Sequence, residues 1–291
     1  MITVRDVTHR YDKQVVLDEV GLSLPVGQLT SIVGANGAGK STLLSVISRL
    51  IKPERGTVFI DDLDVLSAGD DAISRRLAVL RQDNRITARL SVVDLVRFGR
   101  FPYSKGRLTP EDHVIVDEAL DYLDLQPLRD RYLDQLSGGQ RQRAYIAMIL
   151  AQDTDYILLD EPLNNLDMKH SSSMMTLLRR AADDLGKTIV LVLHDINFAS
   201  CFSDHIVAMR DGKVVVQGPP ADIMRRETLR EVFDMDIHVQ DLNGMRLGIF
   251  WTTGAPVGPL PLAAPADDAD RGRGASTTRV PSPSSTISWR S

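Results

Sequence analysis

The segment Gly34-Ala35-Asn36-Gly37-Ala38-Gly39-Lys40-Ser41 constrains this chain more than any other part of it. It has the spacing G-x-x-x-x-G-K-S, follows the apolar run 29–33, and leads into helical periodicity over 41–50. Strand, glycine-rich loop and helix in that order let successive backbone N–H groups curl round a phosphate, with the positive end of the helix behind them. In such a loop Lys40 reaches the β- and γ-phosphates and the Ser41 hydroxyl ligates Mg²⁺. Residues 34–41, with Thr42 directly after them, are therefore the candidate nucleotide-binding set.

The rest of the chain supplies a scaffold for such a loop. Apolar runs at 29–33, 77–80, 156–159, 189–193 and 206–209 alternate with helical patterns, which predicts an α/β domain with a largely parallel sheet covered on both faces. Alternating segments around Val4, Val16 and Leu22 predict antiparallel hairpins at the N-terminus. Between residues 91 and 152 the strand signal gives way to helical periodicity at 92–98, 114–123 and 144–150, the pattern of an inserted helical subdomain. From Thr252 the composition turns to Pro, Ser, Ala, Gly and Arg, so 1–251 reads as the folded domain and 252–291 as a disordered tail.

Several classes of protein are disfavoured at this stage. No window approaches the ~18–20 consecutive apolar residues that cross a bilayer, so a membrane connection has to go through a partner. The net charge of −5 gives no bulk attraction for nucleic acid, and none is expected as a partner. The single cysteine, Cys201, cannot form an intrachain disulfide and reads as a small buried side chain in a chain suited to a reducing cytoplasm. Arg75, Arg76, Arg81, Arg85, Arg89, Arg97 and Arg100 form a basic stretch, read either as a solvated face or as a contact with a partner or anionic lipid.

The run Tyr156-Ile157-Leu158-Leu159 ends in Asp160-Glu161. Carboxylates at the carboxyl end of a strand fall in the ligand crevice of an open α/β sheet. There Asp160 would steady Mg²⁺, and Glu161 would polarise an attacking water as general base.

Leu136-Ser137-Gly138-Gly139-Gln140 opens a second glycine-containing helix start, and one nucleotide does not need two cradles. Placed between the phosphate loop and Asp160-Glu161, this pentapeptide resembles the signature of ABC-transporter ATPase subunits, and the resemblance covers roughly residues 1–250. It implies an ABC cassette fold and ATP hydrolysis with Mg²⁺. It also implies a head-to-tail dimer with a second copy, in which Ser137, Gly138, Gly139 and Gln140 close over the γ-phosphate held by the other copy's Lys40. Under the same resemblance Tyr11 stacks on adenine, and Gln82 touches Mg²⁺ and senses the membrane partner. Asn164-Asn165-Leu166-Asp167 resembles the loop that crosses the dimer interface, with two asparagines where other members often carry small residues. His194 resembles the histidine that contacts the γ-phosphate; His9, His113, His170, His205 and His238 are left as surface or structural. The family receives a cytoplasmic helix of the permease in the groove between the Gln82 loop and the helical subdomain.

Leu95-Val96-Arg97-Phe98-Gly99-Arg100-Phe101-Pro102, Leu163 through Met168, and His194-Asp195-Ile196-Asn197 are similar to ATPases of bacterial ferric-siderophore importers, those for catecholate-type siderophores above all. That likeness implies separate integral membrane permease subunits, an extracytoplasmic substrate-binding protein acting indirectly, and a peripheral location on the cytoplasmic face of the inner membrane. Importers of haem, cobalamin or metal ions share much of the pattern. A soluble scaffold of iron–sulfur cluster assembly is also a single cassette without a membrane span.

Overall fold

A computed structural model of the chain describes residues 1–82 and 88–250. Arg85 and the expected tail at 252–291 lie outside the described residues. Residues 1–250 form one compact unit.

Two sheets organise this unit. In the first, β1 (Ile2–Tyr11), β2 (Gln14–Leu24), β4 (Arg55–Ile60) and β5 (Leu63–Asp64) run antiparallel in the order β2-β1-β4-β5, as the N-terminal alternation predicts. In the second, β3 (Leu29–Gly34), β6 (Leu77–Leu80), β7 (Tyr156–Asp160), β8 (Thr188–Val192) and β9 (His205–Arg210) run parallel, and β10 (Lys213–Gly218) adds an antiparallel edge. The order is β10-β9-β3-β8-β7-β6, so sequence neighbours are separated and the carboxyl ends of β3, β8 and β7 come side by side. Asp160 at the end of β7 stands in register with Val192 at the end of β8. Ligands of such sheets bind at the carboxyl ends of the strands.

Strand period explains the two cores. Side chains on successive strand residues point to opposite faces. Leu158, Val190, Val192 and Val207 point to one side, where they are buried in a cluster with Leu43, Leu44, Val46 and Ile47 of α1 (Lys40–Ile47) and with Val4, Leu17 and Val58 of the first sheet. The helix that follows the phosphate loop thus shares one core with both sheets. Ile157, Leu159, Ile189 and Leu191 point to the other side and join a cluster with the remaining helices.

After β5, helix α2 (Asp70–Arg76) leads directly into β6. Between β6 and β7 the described chain is helical: α3 (Val92–Phe98), α4 (Phe101–Ser104), α5 (Pro110–Tyr122) and α6 (Gly138–Ala151), with two 3₁₀ turns. Helix α5 begins four residues before its apolar pattern does. Thr109 and Asp112 form a capping box, and Pro110 fits the first helical turn where no N–H is needed. Gly99 lets α3 lie against α6: a Cβ there would sit 2.1 Å from the Met148 carbonyl oxygen. The chain then continues through α7 (Met168–Leu185), α8 (Ile196–Phe202), α9 (Pro220–Ile223), α10 (Arg226–Phe233) and a final hairpin of β11 (His238–Leu242) and β12 (Met245–Ile249).

Two expectations about single residues need correction. Cys201 is exposed: α8 turns Ile196 and Ala199 inward, and Cys201 falls on its outer side. The arginine stretch is not a uniform solvated face. Arg76 pairs with Asp61 at 3.1 Å and Arg97 with Asp94 at 3.1 Å, while the Arg89 guanidinium lies 4.0 Å over the Tyr132 ring. Arg100 is buried, paired with Asp112 at 2.8 Å and donating to the Ala151 carbonyl at 2.9 Å, which joins α5 to the end of α6.

Removing one partner of a buried ion pair leaves an uncompensated charge at a cost of about 3–5 kcal/mol, whereas exposed pairs contribute under ~1 kcal/mol. Arg100→Ala is accordingly expected to lose about 3–5 kcal/mol in urea unfolding, and Arg97→Ala under about 1 kcal/mol. Equal losses for the two would contradict the role assigned to the buried pair.

Candidate nucleotide site

The loop 34–41 is shaped by positions where only glycine fits. Gly39 caps α1 at φ 96°, and a Cβ there would lie 2.7 Å from the Val16 carbonyl oxygen of β2. At Gly34, φ 147°, a Cβ would lie 2.1 Å from the Met209 carbonyl oxygen of β9. Both sheets therefore press on the loop. Within it Lys40 is buried and donates from Nζ to the carbonyl oxygens of Gly34 at 2.9 Å and Ala35 at 3.0 Å. Burial lowers the Lys40 pKa, against the opposing pull of Glu161 and Asp160.

The carboxylates expected from sequence meet this loop. Ser41 Oγ donates to Asp160 Oδ1 at 2.9 Å. Burial pushes the Asp160 pKa up, aided by the neighbouring charge of Glu161 and opposed by the Ser41 hydrogen bond and by Lys40. Glu161, whose side chain is only 10% exposed, has both oxygens engaged. Oε1 lies 2.7 Å from His194 Nε2, while Oε2 accepts from Gln82 Nε2 at 2.8 Å and from the Asn164 amide. Glu161 itself has φ 50°, so the strand turns sharply where it delivers this side chain.

The oxygen set suits Mg²⁺. The hydroxyl of Ser41 and the carboxylate of Asp160 are hard donors within a hydrogen bond of each other, and Mg²⁺ is typically held by one or two protein oxygens together with substrate phosphates. A dedicated protein cage is not needed, and among the described residues no group of three or more His, Cys, Asp or Glu could form one. Tyr11 is half exposed, meets His9 edge to face at 5.0 Å, and lines a cavity of about 260 Å³ with Ser41, Thr42, Gln82 and Asp160.

The remaining candidates bond within their own segments. Ser137 caps α6 by accepting from the Gln140 N–H at 3.3 Å, and the Gln140 side chain accepts from the Ser137 N–H at 3.0 Å. This reciprocal box is a structural use of two signature residues, legible in the S-x-x-Q spacing. Asp167 caps α7 and accepts from the His170 N–H at 2.8 Å, with the His170 ring nitrogen Nδ1 at 2.7 Å. A Cβ on Gly139 would lie 2.5 Å from that imidazole, so the start of α6 and the first turn of α7 are packed together. Gly138, Asn164 and Asn165 line a groove of about 710 Å³ that also takes in Gln82, Glu161 and Tyr145. The Asn164 contact had no signal in the sequence, where the residue stood only as a departure from the family pattern.

The sequence pattern of ABC transporters matches residues 17–164. The chain belongs to the ABC transporter family. The petrobactin import ATP-binding protein YclP of Bacillus subtilis (strain 168) is 52% identical over 87% of this chain and 100% of its own length. The ferric enterobactin transport ATP-binding protein FepC of Escherichia coli (strain K12) is 37% identical over 81% of this chain and 88% of its own. A dimeric bacterial ABC transporter cassette superposes with a TM-score of 0.68 at 32% identity, covering 76% of this chain and 99% of that one. As a member of this family the chain is an ATP-hydrolysing transport subunit. Among the described residues no helix is long and apolar enough to cross a membrane.

The cassette carries a stability cost at Asp160. Its folded pKa lies above the ordinary 3.8, so folding binds its proton more tightly than unfolding does. The penalty is absent below that ordinary value, where both states are protonated, and grows as pH rises through it. In nucleotide-free buffer at pH 7, Asp160→Asn is expected to melt at a higher temperature than the parent, with the difference disappearing below about pH 4. A lower melting temperature at pH 7 would contradict the burial argument.

Proposed function

We propose that this chain energises import of a ferric siderophore through separate membrane permease subunits. What supports the catalytic half of the reading is one observation: Glu161 stands at the end of β7, 2.7 Å from His194, beside the Ser41–Asp160 pair and Lys40. Lys40 exchanges the carbonyls of Gly34 and Ala35 for the β- and γ-phosphates of ATP, while the backbone of 36–41 wraps them. Ser41 and Asp160 hold Mg²⁺, with Gln82 beside them; the ion supplies charge neutralisation on the phosphate oxygens. Tyr11 packs on adenine at the mouth of the cavity it shares with Thr42.

Glu161 accepts a proton from the attacking water, and His194 orients that carboxylate toward the γ-phosphate. Gln82 and Asn164 must yield Oε2 for a water to approach from their side, which makes the loops carrying them natural gates on turnover. Ser137, Gly138, Gly139 and Gln140 have no second phosphate loop to serve within this chain. They close over the ATP of a second copy, with Asp167 positioned at the seam. The dimer closes on ATP and opens after hydrolysis, and a permease helix in the groove beside Gln82 receives that motion. Residues 1–251 are the cassette in this reading, seated on the cytoplasmic face of the inner membrane, with an extracytoplasmic binding protein delivering cargo to the permease.

The cargo assignment is supported by the petrobactin import ATP-binding proteins YclP and FatE, 52% and 48% identical to this chain. FatE, from Bacillus anthracis, aligns over 82% of this chain and 96% of its own length. Expression with its permease in a strain lacking iron uptake is expected to give ATP-dependent accumulation of labelled ferric petrobactin, absent with Glu161→Gln. Accumulation of haem or cobalamin in its place would overturn the cargo and leave the motor standing.

A further inference from the structure

The final hairpin grips the helix that follows His194. Asn197, in the first turn of α8, donates from Nδ2 to the Gly248 carbonyl at 3.1 Å and accepts the Gly248 N–H on Oδ1 at 2.7 Å. One carboxamide thus satisfies both backbone groups of a β12 residue, on the edge facing away from β11, as a neighbouring strand would. Ser200, one turn on, donates to the Arg246 carbonyl at 2.6 Å. The approach is close: a Cβ on Gly248 would lie 3.0 Å from Ile237 and 3.6 Å from both Asn197 Oδ1 and the Ile196 side chain.

The same turn carries the link back to His194. Asp195 caps α8 by accepting the Asn197 N–H at 2.8 Å, and Ile196 is buried. His194 is therefore one residue from a cap whose donor is Asn197 and whose helix is tied to β12. The His194 imidazole that makes the Glu161 contact is 44% exposed, and the backbone that aims it leads straight into the Asp195 cap. A hydrogen bond so aligned tolerates little displacement: misplacement by about 1 Å can cost on the order of 10² in rate.

We propose that Asn197 is a positioning residue for hydrolysis, and that β12, through Gly248, belongs to the machinery that aims His194 at the reacting phosphate. This rests on the reading of His194 given above. Asn197→Ala leaves the Gly248 N–H and C=O without their partner and frees the first turn of α8. The hydrogen bonds of Asn197 run to Asp195 and Gly248, away from the residues that would hold nucleotide, so ATP binding is expected to be retained.

The test is a double-mutant cycle on the full chain, reading single-turnover hydrolysis, KM for ATP and thermal midpoint for Asn197→Ala, His194→Ala and the pair. Asn197→Ala is expected to lower turnover by roughly tenfold with KM unchanged, and to cost nothing further once His194 is absent. Wild-type turnover in folded Asn197→Ala, or losses that multiply in the double variant, would overturn the proposal. If Asn197→Ala does not fold, Asn197→Asp takes its place, since it keeps the acceptor for the Gly248 N–H and removes only the donor; the same outcomes then decide. Wild-type turnover in His194→Ala would instead remove the role of His194 itself, and the proposal with it.

Discussion

The phosphate loop is fixed because a strand from each of the two sheets presses on it. A carbonyl of β2 abuts Gly39 and a carbonyl of β9 abuts Gly34, at distances no Cβ could share. The helix behind the loop is buried with residues of both sheets, so the loop cannot shift without disturbing the core that holds the cassette together. This rigidity lets Lys40 be kept buried and Asp160 be kept desolvated, two arrangements that work against folding and favour binding. Everything else in the site is measured from that fixed point.

Against the rigid loop, three other segments converge on one carboxylate. Gln82 follows β6, Asn164 belongs to the loop before α7, and His194 follows β8; all three reach Glu161. The segments divide two ways: Gln82 and Asn164 line the large groove, while the chain beyond His194 is tied through α8 to the final hairpin. A single acid thus reads the positions of three loops at once. With Glu161 as the proposed general base, coupling between hydrolysis and movement needs no longer pathway than these contacts, because any segment that moves changes what that carboxylate can reach.

Sequence periodicity made the central fold legible where elements are regular. The runs at 77–80 and 92–98 coincide with β6 and α3, and the other strands differ from their apolar runs by a residue at either end. Boundaries set by side-chain caps were harder: α5 and α6 start where Thr109 and Ser137 cap them, before any apolar pattern begins. Residues 34–41, Asp160, Glu161 and His194, which the fold brings together, could be singled out because the pattern that marks them is local in sequence. Arg100 and Cys201 were misjudged because their burial depends on which side of a short helix meets a distant one. Asn164 and Asn197 stood in segments that carried the family resemblance, but their contacts with Glu161 and Gly248 could not be read. Asn197 bonds a glycine 51 positions away, and nothing in the residues between them records that meeting.

The central claim is that Glu161 is the base that activates water while the loop around Lys40 binds nucleotide independently of it. Single-turnover ATP hydrolysis and ATP affinity, measured together on Glu161→Gln, test this most directly. The account predicts turnover reduced by about 10²–10⁴ with affinity retained, the usual consequence of removing a general base. Turnover at the parental rate in Glu161→Gln would contradict it.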